Sequence, residues 1–306
     1  MLILLTAAFL TGTIVPVQTA ANARLRLATG SLPAVVLISF AVSFAALLFI
    51  SLACGIAVLP TSALAQAIPW WGWLGGIIAL FTISASTFLF KTLGQLQTTI
   101  LPLLGQLLFS LVIDNFGLFG SVQIPFSTTR AAAIALILFG IALAIVLPNI
   151  KQRQQSPSPH RLLWQIAAVA AGCLMASIGA IYGTLGTLLQ SAVQASTISF
   201  GIAVMAMFAC CLVTGSISNA KAAFNRKQPW WSWLGGICGA ISVFSNAFLI
   251  PLLGAGTFFT AMLLGQILLS IVLETRGWLG APQKPVLPGQ YAGLALMLAG
   301  VALIRL

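Results

Sequence analysis

The stretch Pro69–Gly76 reads PWWGWLGG, and it returns 160 residues later as PWWSWLGG at Pro229–Gly236. The two octapeptides differ at one letter, and the matching continues beyond them in the same register without a gap. A repeat on this scale decides the architecture before any single element is assigned. The chain is therefore one unit of about half its length, present twice.

Matched residues 160 positions apart extend the repeat over almost the whole chain. They include Gly12 and Gly172, Ser39 and Ser199, Gly105 and Gly265, Gln106 and Gln266, and Asp114 and Glu274. Between the copies, Asn149–His160 is polar and contains two prolines, which is typical of a linker. We therefore predict a first domain at 1–149, a cytoplasmic linker at 150–160 and a second domain at 161–306.

The composition excludes a soluble globular protein. Only 5% of the residues are charged and 60% are hydrophobic, whereas soluble proteins carry roughly 25% charged residues. No charged residue lies between Arg26 and Lys91, and a charge-free run of that length indicates several membrane spans separated by uncharged turns. The net charge of +11 comes mainly from basic residues between the spans. It therefore predicts how the protein is oriented in a lipid bilayer, and no nucleic-acid partner is expected.

Hydropathy predicts an all-α integral membrane protein with ten transmembrane helices, five in each copy. In the first copy the predicted spans cover about 2–23, 33–59, 69–90, 93–114 and 129–149. In the second copy they cover about 162–185, 194–218, 229–250, 253–274 and 288–305.

The lysines and arginines predict the orientation of these spans. All but two of the thirteen fall in loops that follow odd-numbered spans, and the exceptions are Arg130 and Arg305. Basic loops stay in the cytoplasm, so both termini are expected on the opposite side. Because five is an odd number, the second copy must enter the membrane upside down. Two inverted five-helix repeats are typical of alternating-access transporters.

The tryptophans of the two octapeptides open spans three and eight, and we interpret them as anchors at the membrane boundary. The adjoining glycines have the spacing that lets two helix backbones approach closely, which predicts tight packing of these spans. They are Gly72, Gly75 and Gly76 in the first copy and Gly235, Gly236 and Gly239 in the second.

Spans four and nine carry matched polar stripes at four-residue spacing, which places each stripe on one helix face. The stripes are Gln106, Ser110 and Asp114 in span four and Gln266, Ser270 and Glu274 in span nine. Polar groups within a span face protein or water rather than lipid. The sequence leaves two interpretations open, a solute pathway flanked by Gln106 and Gln266 or hydrogen bonds that hold helices together. Asp114 and Glu274 are the only two acids of the chain and the candidates for proton coupling.

Span one carries Gln18 and Asn22 on one face, whereas the matched positions in the second copy are Ile178 and Tyr182. The twin helix does without these amides, so the fold alone does not demand them. We therefore predict that Gln18 and Asn22 bind a solute. The predicted substrate-binding set also contains Gln106, Gln266, Tyr182, Ser86 and Asn246.

The sequence offers no sign of an enzyme, a cofactor or a metal site. One histidine and two acids do not supply an acid–base pair within the membrane, and no phosphate-binding loop appears. The five cysteines lie in apolar runs without metal-ligand spacing, so we interpret them as small buried hydrophobic residues. We expect a protein that is not an enzyme and is not driven by ATP.

Two five-span copies, each with a PWW-x-WLGG motif and a following GQ-xxx-S-xxx stripe that ends in an acid, resemble the drug/metabolite transporter superfamily. Within it the chain resembles the YdcZ branch of bacterial inner-membrane exporters, over nearly its whole length. The motif residues are Pro69–Gly76, Gly105, Gln106, Ser110, Asp114 and Gly117, with their partners 160 residues later. Many members of this branch are single five-span units that must pair, so this chain resembles a fused form. Gly12, Gln18 and Asn22 of the first span also resemble the family's pattern, and the second copy departs from that pattern with Ile178 and Tyr182.

The resemblance implies a secondary transporter in the bacterial inner membrane, and the distribution of basic residues predicts that both termini lie in the periplasm. We expect alternating access by rocking of the two halves, and export of a small neutral or zwitterionic metabolite or drug-like solute. The alternative is a structural or lipid-handling membrane protein without a transport cycle. The expected partners are the lipid bilayer and the solute, and the oligomeric state stays open, with a homodimer as one option.

Overall fold

The structure, a computed structural model, describes residues 1–143, 161–225, 228–280 and 288–303. These residues form helices and turns, and no strand occurs among them. The first copy contains α1 (Leu2–Thr29), α2 (Leu32–Ala53), α3 (Ser62–Ala67), α4 (Gly75–Phe116) and α5 (Thr128–Ile141). The second copy contains α6 (Arg161–Leu188), α7 (Ala192–Val213), α8 (Ile217–Asn225), α9 (Leu234–Leu253), α10 (Ala255–Arg276) and α11 (Pro288–Leu303). The predicted linker, and His160 with it, lies outside the described residues.

The helices have the length and composition of a membrane protein, as the sequence predicts. Within the described ranges, six helices are long and apolar enough to cross a bilayer. Shorter apolar helices cover Trp70–Thr82, Leu101–Phe116, Thr128–Ile141 and Tyr291–Gly300, at the positions of predicted spans three, four, five and ten. An integral membrane protein with several spans is therefore confirmed.

Each tryptophan motif folds as a short 3-10 turn that leads into a helix. The turns cover Trp70–Leu74 and Trp230–Trp233, each preceded by a proline. Proline suits the start of a helix because it lacks a backbone N–H, and an N–H at this position would have no partner within the helix. The side chains of Trp70 and Trp230 are exposed, as expected of rings that anchor a span at the membrane boundary.

Two short helices that the sequence did not predict follow spans two and seven. The spans end at Ala53 and Val213, several residues earlier than their hydropathy suggests. The chain then forms α3 and α8 before the tryptophan turns. Ala223 of α8 is fully buried against Leu25 of α1 and Val35 of α2, so α8 covers one end of this helix pair.

Glycines let helices of one copy pack directly on helices of the other copy. A Cβ atom on Gly12 of α1 would lie 1.8 Å from the carbonyl oxygen of Met262 in α10. The matched glycine, Gly172 of α6, would meet the carbonyl oxygen of Pro102 in α4 at 2.0 Å. Both crossings need a residue without a side chain, because the two backbones touch. The first helix of each copy therefore packs on the fourth span of the other copy.

Helix α4 contains both predicted spans three and four. A straight helix of its 42 residues would be about 63 Å long. Yet the rings of Trp71, just before α4, and Phe119, just after it, have centroids 5.7 Å apart. Both ends also contact the same part of α6, where Tyr182 lies beside Gly75 and the Thr184 hydroxyl donates a hydrogen bond to the Phe119 carbonyl. The element therefore doubles back on itself.

The matched helices α2 and α7 pack against each other in opposite directions. Ser51, near the end of α2, shares a hydrogen bond with Thr197, near the start of α7, with the two oxygens 3.1 Å apart. The matched residues Phe40 and Phe200 meet near the middle, with ring centroids 5.7 Å apart. Two equivalent helices that cross antiparallel at equivalent residues indicate a local twofold relation between the copies.

The matched helices α5 and α11 repeat this arrangement. A Cβ atom on Gly140 would lie 2.6 Å from the carbonyl oxygen of Gly293, and one on Gly300 would lie 2.8 Å from the carbonyl oxygen of Ala133. Gly300 is the match of Gly140, and Ala133 is the match of Gly293. The two contacts are therefore equivalent, with the roles of the two copies exchanged. The end of each helix thus lies beside the beginning of its partner.

Candidate functional site

Gln18 and Asn22 face helix α9 at two glycines near its start. The Asn22 side chain lies against Gly235, and Nε2 of Gln18 lies 3.1 Å from the position of a Cβ atom on Gly239. Both pairs are spaced by four residues, so they meet in register along one face of each helix. Ser39 of α2 donates a hydrogen bond to Oδ1 of Asn22, with the oxygens 2.6 Å apart. The amides therefore lie where α1, α2 and α9 meet.

Hydroxyl groups of α1 and α2 make two further hydrogen bonds to α9. Thr11 of α1 donates to Oγ of Ser245 at 2.9 Å, and Ser43 of α2 donates to the carbonyl oxygen of Gly236 at 2.6 Å. All four residues are buried. Each bond joins a helix of the first copy to a helix of the second, so Thr11 of span one faces protein rather than lipid.

Asn246 lies two turns beyond Gly239 on the same face of α9. Its Nδ2 donates to the carbonyl oxygen of Ser242 at 2.9 Å, which fixes the orientation of the amide because a carbonyl can only accept. Its Oδ1 is buried and accepts no hydrogen bond. A buried acceptor without a donor costs about 1–3 kcal/mol, and a donor on a bound solute would remove that cost. We call Gln18, Asn22, Ser39, Ser43 and Asn246 the amide seam.

Tyr182 occupies the place in the second copy that Asn22 occupies in the first. Its ring lies against Gly75 of α4, as Asn22 lies against Gly235 of α9. Tyr182 is buried in an apolar cluster with Ile178, the residue that matches Gln18. The two amides of span one are therefore matched by residues of an apolar cluster, and the two copies differ in chemistry at the same place in the fold.

Gln106 and Gln266 lie at the two helix crossings rather than in the amide seam. Gln106 is buried. It follows Gly105 of α4, where an added Cβ atom would clash with the backbone of α6. Gln266 is half-buried and follows Gly265, which touches α1 in the same manner. Within the described part of the chain, no hydrogen bond joins either glutamine to Gln18. The side chains of Ser86 and Glu274, two further predicted residues, lie outside the part that the structure describes.

Asp114 is fully buried at the junction of the two copies. Its Oδ1 accepts a hydrogen bond from the backbone N–H of Ala255 at 2.7 Å, and its Oδ2 accepts one from Gly256 at 2.9 Å. Nη2 of Arg130 lies 3.6 Å from Oδ2. The carboxylate thus satisfies the free N–H groups at the start of α10, where negative charge is favoured, and also pairs with a cation.

The sequence did not single out Arg130, Ser39 or Ser43 as site residues. Arg130 follows Asp114 across a loop, and its place at the start of α5 is fixed by Ser127, whose hydroxyl accepts from the Arg130 N–H at 3.2 Å. The sequence did contain a feature that could have identified Arg130. It is one of only two basic residues on the side of the membrane that is predicted to carry few of them. Ser39 and Ser43 also fall four apart in an apolar run.

The described residues contain no group of three or more side chains that could hold a metal ion. The five cysteines are free thiols. Four of them are at least partly buried in helices and Cys54 is exposed at the end of α2.

Comparison with known proteins agrees with this architecture. A solved structure described as "Crystal structure of protein" matches 97% of this chain and 96% of its own, with a TM-score of 0.65 and 16% sequence identity, so the fold is similar. No curated protein matches the sequence. The family model described as "Putative inner membrane exporter, YdcZ" matches twice, at residues 3–143 and 163–303. The chain therefore belongs to the YdcZ family of the drug/metabolite transporters and carries two copies of its domain.

Proposed function

We propose that the protein is a secondary transporter that exports a small neutral or zwitterionic solute by alternating access. Membership of an exporter family supports a transporter rather than an enzyme. The observation that carries the proposal is the exchange of equivalent contacts between the copies. Antiparallel packing of α2 with α7, and of α5 with α11, supports ten spans in two inverted repeats, the arrangement that alternating access requires.

The helix contacts support rigid units that each combine helices from both copies, rather than units that coincide with one copy each. Helix α1 packs on α9 and α10, which belong to the other copy, and α6 packs on both spans of α4. We therefore propose that the chain moves as two exchanged bundles, α1 with α9–α10 and α6 with α4. The amide seam belongs to the first of these bundles, and Oδ1 of its Asn246 lies beside Gly179 of α6, at the boundary with the second bundle. A site at this boundary faces one side of the membrane and then the other as the bundles tilt.

The amide seam is the proposed solute site. Its groups are amides and hydroxyls, and the described residues place no charged side chain in contact with them, which supports a neutral or zwitterionic solute. The unpaired Oδ1 of Asn246 supports a solute that carries an N–H or O–H donor. In this proposal Gln106 and Gln266 flank the path at the helix crossings, and Tyr182 of the second copy and Ser86 of the first copy complete the set of solute-binding residues.

A thermal-shift screen tests this function. Purified protein is heated with each of a panel of neutral and zwitterionic metabolites, and a ligand that binds the native state raises the melting temperature. The hit should vanish in Asn22→Ala and in Asn246→Ala and should persist in Gln190→Ala, an exposed residue in the loop after α6. A hit that survives both seam variants rejects the site.

The coupling role of the carboxylates is part of the same proposal. If protons drive export, Asp114→Asn should abolish flux driven by a pH gradient in proteoliposomes. The same test applies to Glu274→Gln. A pH-dependent flux that is unchanged in both variants rejects coupling through these residues.

A further inference from the structure

Asp114 and Arg130 tie the first copy to the second at one face of the protein. Besides its contact with Asp114, Arg130 donates to Oγ1 of Thr257 at 3.5 Å and to the carbonyl oxygen of Ile124 at 3.3 Å. Asp114 and Arg130 belong to the first copy, whereas Ala255, Gly256 and Thr257 begin α10 of the second. We call these five residues the latch, and the side of the protein on which they lie the latch face.

An apolar cluster lies directly next to the latch and spans both proposed bundles. Its buried members come from α1, α4, α6, α9 and α10, and they include Leu5, Ile113, Ala176, Ile250, Phe258 and Phe259. Phe258 has no exposed surface, and its ring packs edge-on against Phe259 with centroids 5.3 Å apart. Helices of both bundles meet in this cluster, so a solute has no open route between them here. We call the cluster the plug.

The sequence does not repeat the latch in the second copy. The residue that matches Arg130 is Gln290, which carries no charge, and the residue that matches Gly256 is Leu96. The phenylalanines of the plug, Phe258 and Phe259, are matched by Thr98 and Thr99. An arginine and two aromatic rings are thus present at one face and replaced at the matched positions, whereas the acid is retained as Glu274.

We propose that the latch and the plug form a gate that holds the protein closed at the latch face in its resting state. The inference rests on the alternating-access proposal and adds which face is closed at rest and what closes it. The plug excludes water by apolar contact. The latch supplies the charged and hydrogen-bonded contacts between the bundles that must break before this face opens. Opening this face separates Arg130 from Asp114 and removes the carboxylate from the N–H groups that start α10, where negative charge is favoured, so these contacts favour the closed state over the open one.

The consequence is a bias between the two states of the transport cycle. The positions that match Arg130, Phe258 and Phe259 carry neither a cation nor an aromatic ring, so the opposite face has a weaker gate. A protein at rest is therefore open, or more readily opened, at the face opposite the latch. For an exporter with the predicted orientation this is the cytoplasmic face, from which the solute is loaded.

Chemical labelling of a buried cysteine tests the gate without any solute. Ser110 is fully buried and lines a cavity of about 10 Å³ beside Arg130 and Thr257. Ser110→Cys is introduced into a chain whose five native cysteines are replaced, and a membrane-impermeant maleimide is applied from the latch face. Val122→Cys, exposed in the loop after α4, measures access of the reagent to the same face.

Arg130→Gln copies the residue found at the matched position and leaves both backbone hydrogen bonds of Asp114 in place. It should raise the labelling rate of the thiol at position 110, relative to the thiol at position 122, at least about tenfold, which corresponds to about 1.4 kcal/mol in the opening equilibrium. Asp114→Asn should raise it further. Arg24→Gln, which removes an exposed charge from α1, is the matched control and should leave the rate unchanged.

Labelling that stays unchanged in Arg130→Gln, in protein that elutes as a single folded species, overturns the gate. Arg130→Gln decides the question even if Asp114→Asn fails to fold, because it keeps the cap of α10. The result is separate from the solute screen. Faster labelling without any hit in the screen keeps the gate and removes the support for transport, whereas a hit with unchanged labelling keeps transport and rejects the gate.

Discussion

The glycine at each crossing between the copies should be intolerant of a single added methyl group. In Gly12→Ala the new Cβ atom would lie 1.8 Å from the carbonyl oxygen of Met262, and ordinary contact begins at 3.4 Å. The two backbones must therefore separate by about 1.6 Å along this line. Forcing extra volume into a packed interior costs about 1–3 kcal/mol. Gly172→Ala, its twin in the second copy, should cost a similar amount.

A matched control separates this clash from the general effect of replacing glycine in a helix. Gly201 lies within α7, and a Cβ atom there would meet ring atoms of Phe44 at 3.3 Å, a side chain that is able to shift. Alanine is favoured over glycine in a helix by about 1 kcal/mol. Gly201→Ala should therefore be neutral or stabilising, while Gly12→Ala and Gly172→Ala should lower the free energy of unfolding.

The assay is thermal unfolding of purified protein in detergent, followed by tryptophan fluorescence, for the wild type and the three variants. We expect both crossing variants to melt below Gly201→Ala by an amount that corresponds to about 1–3 kcal/mol. Crossing variants that melt at or above the temperature of Gly201→Ala refute the direct backbone contact. A loss in only one of the two refutes the equivalence of the crossings.

Three further substitutions follow from the seam and the plug. Asn22→Ala removes the acceptor for Ser39, so thermal unfolding should show a loss of about 0.5–1.5 kcal/mol, and a melting temperature equal to that of the wild type contradicts the bond. Asn246→Leu removes a buried acceptor without a donor, so stability should stay equal or rise while solute binding in the thermal-shift screen is lost; retained binding removes Asn246 from the site. Phe258→Ala leaves a cavity in the plug and should cost about 3–5 kcal/mol in chemical denaturation, whereas a cost below about 1 kcal/mol shows that the ring is not packed as described.

Much of the fold could be predicted because the sequence contains the same unit twice. The glycines that the octapeptides share, Gly76 and Gly236, prove to be contact points with the other copy, where a Cβ atom would lie 2.6 Å from the carbonyl oxygens of Ser199 and Ser39. Gly236 matches Gly76 and Ser39 matches Ser199, each at a distance of 160 residues, so the two contacts are equivalent with the copies exchanged. Hydropathy also located every long helix among the described residues, because a span in lipid requires a continuous apolar run.

The parts of the fold that escaped prediction lack a periodic signal. The apolar runs of spans two and seven continue into the turns that end the helices, so hydropathy did not mark Ala53 or Val213 as the last helical residues. Helix α3 has six residues and α8 has nine, which is too short for a reliable pattern.

The candidate site could be predicted where the two copies differ and not where distant residues meet. The contrast between Asn22 and Tyr182 indicated the amide seam, and the structure places both residues at equivalent positions against α9 and α4. The partners of Asp114 could not be read from spacing. Its hydrogen-bond donors, Ala255 and Gly256, lie 141 and 142 residues away, and only the folded chain brings them together.

Labelling of the two tryptophan motifs from each side of the membrane tests the inverted arrangement most directly. Trp70 and Trp230 are matched residues, and their side chains are 76% and 75% exposed. Each is replaced by cysteine in a cysteine-free chain, and a membrane-impermeant reagent is applied to right-side-out and to inside-out vesicles. If the copies are inverted, the two cysteines react in opposite preparations. Reaction of both from the same side would contradict the inversion.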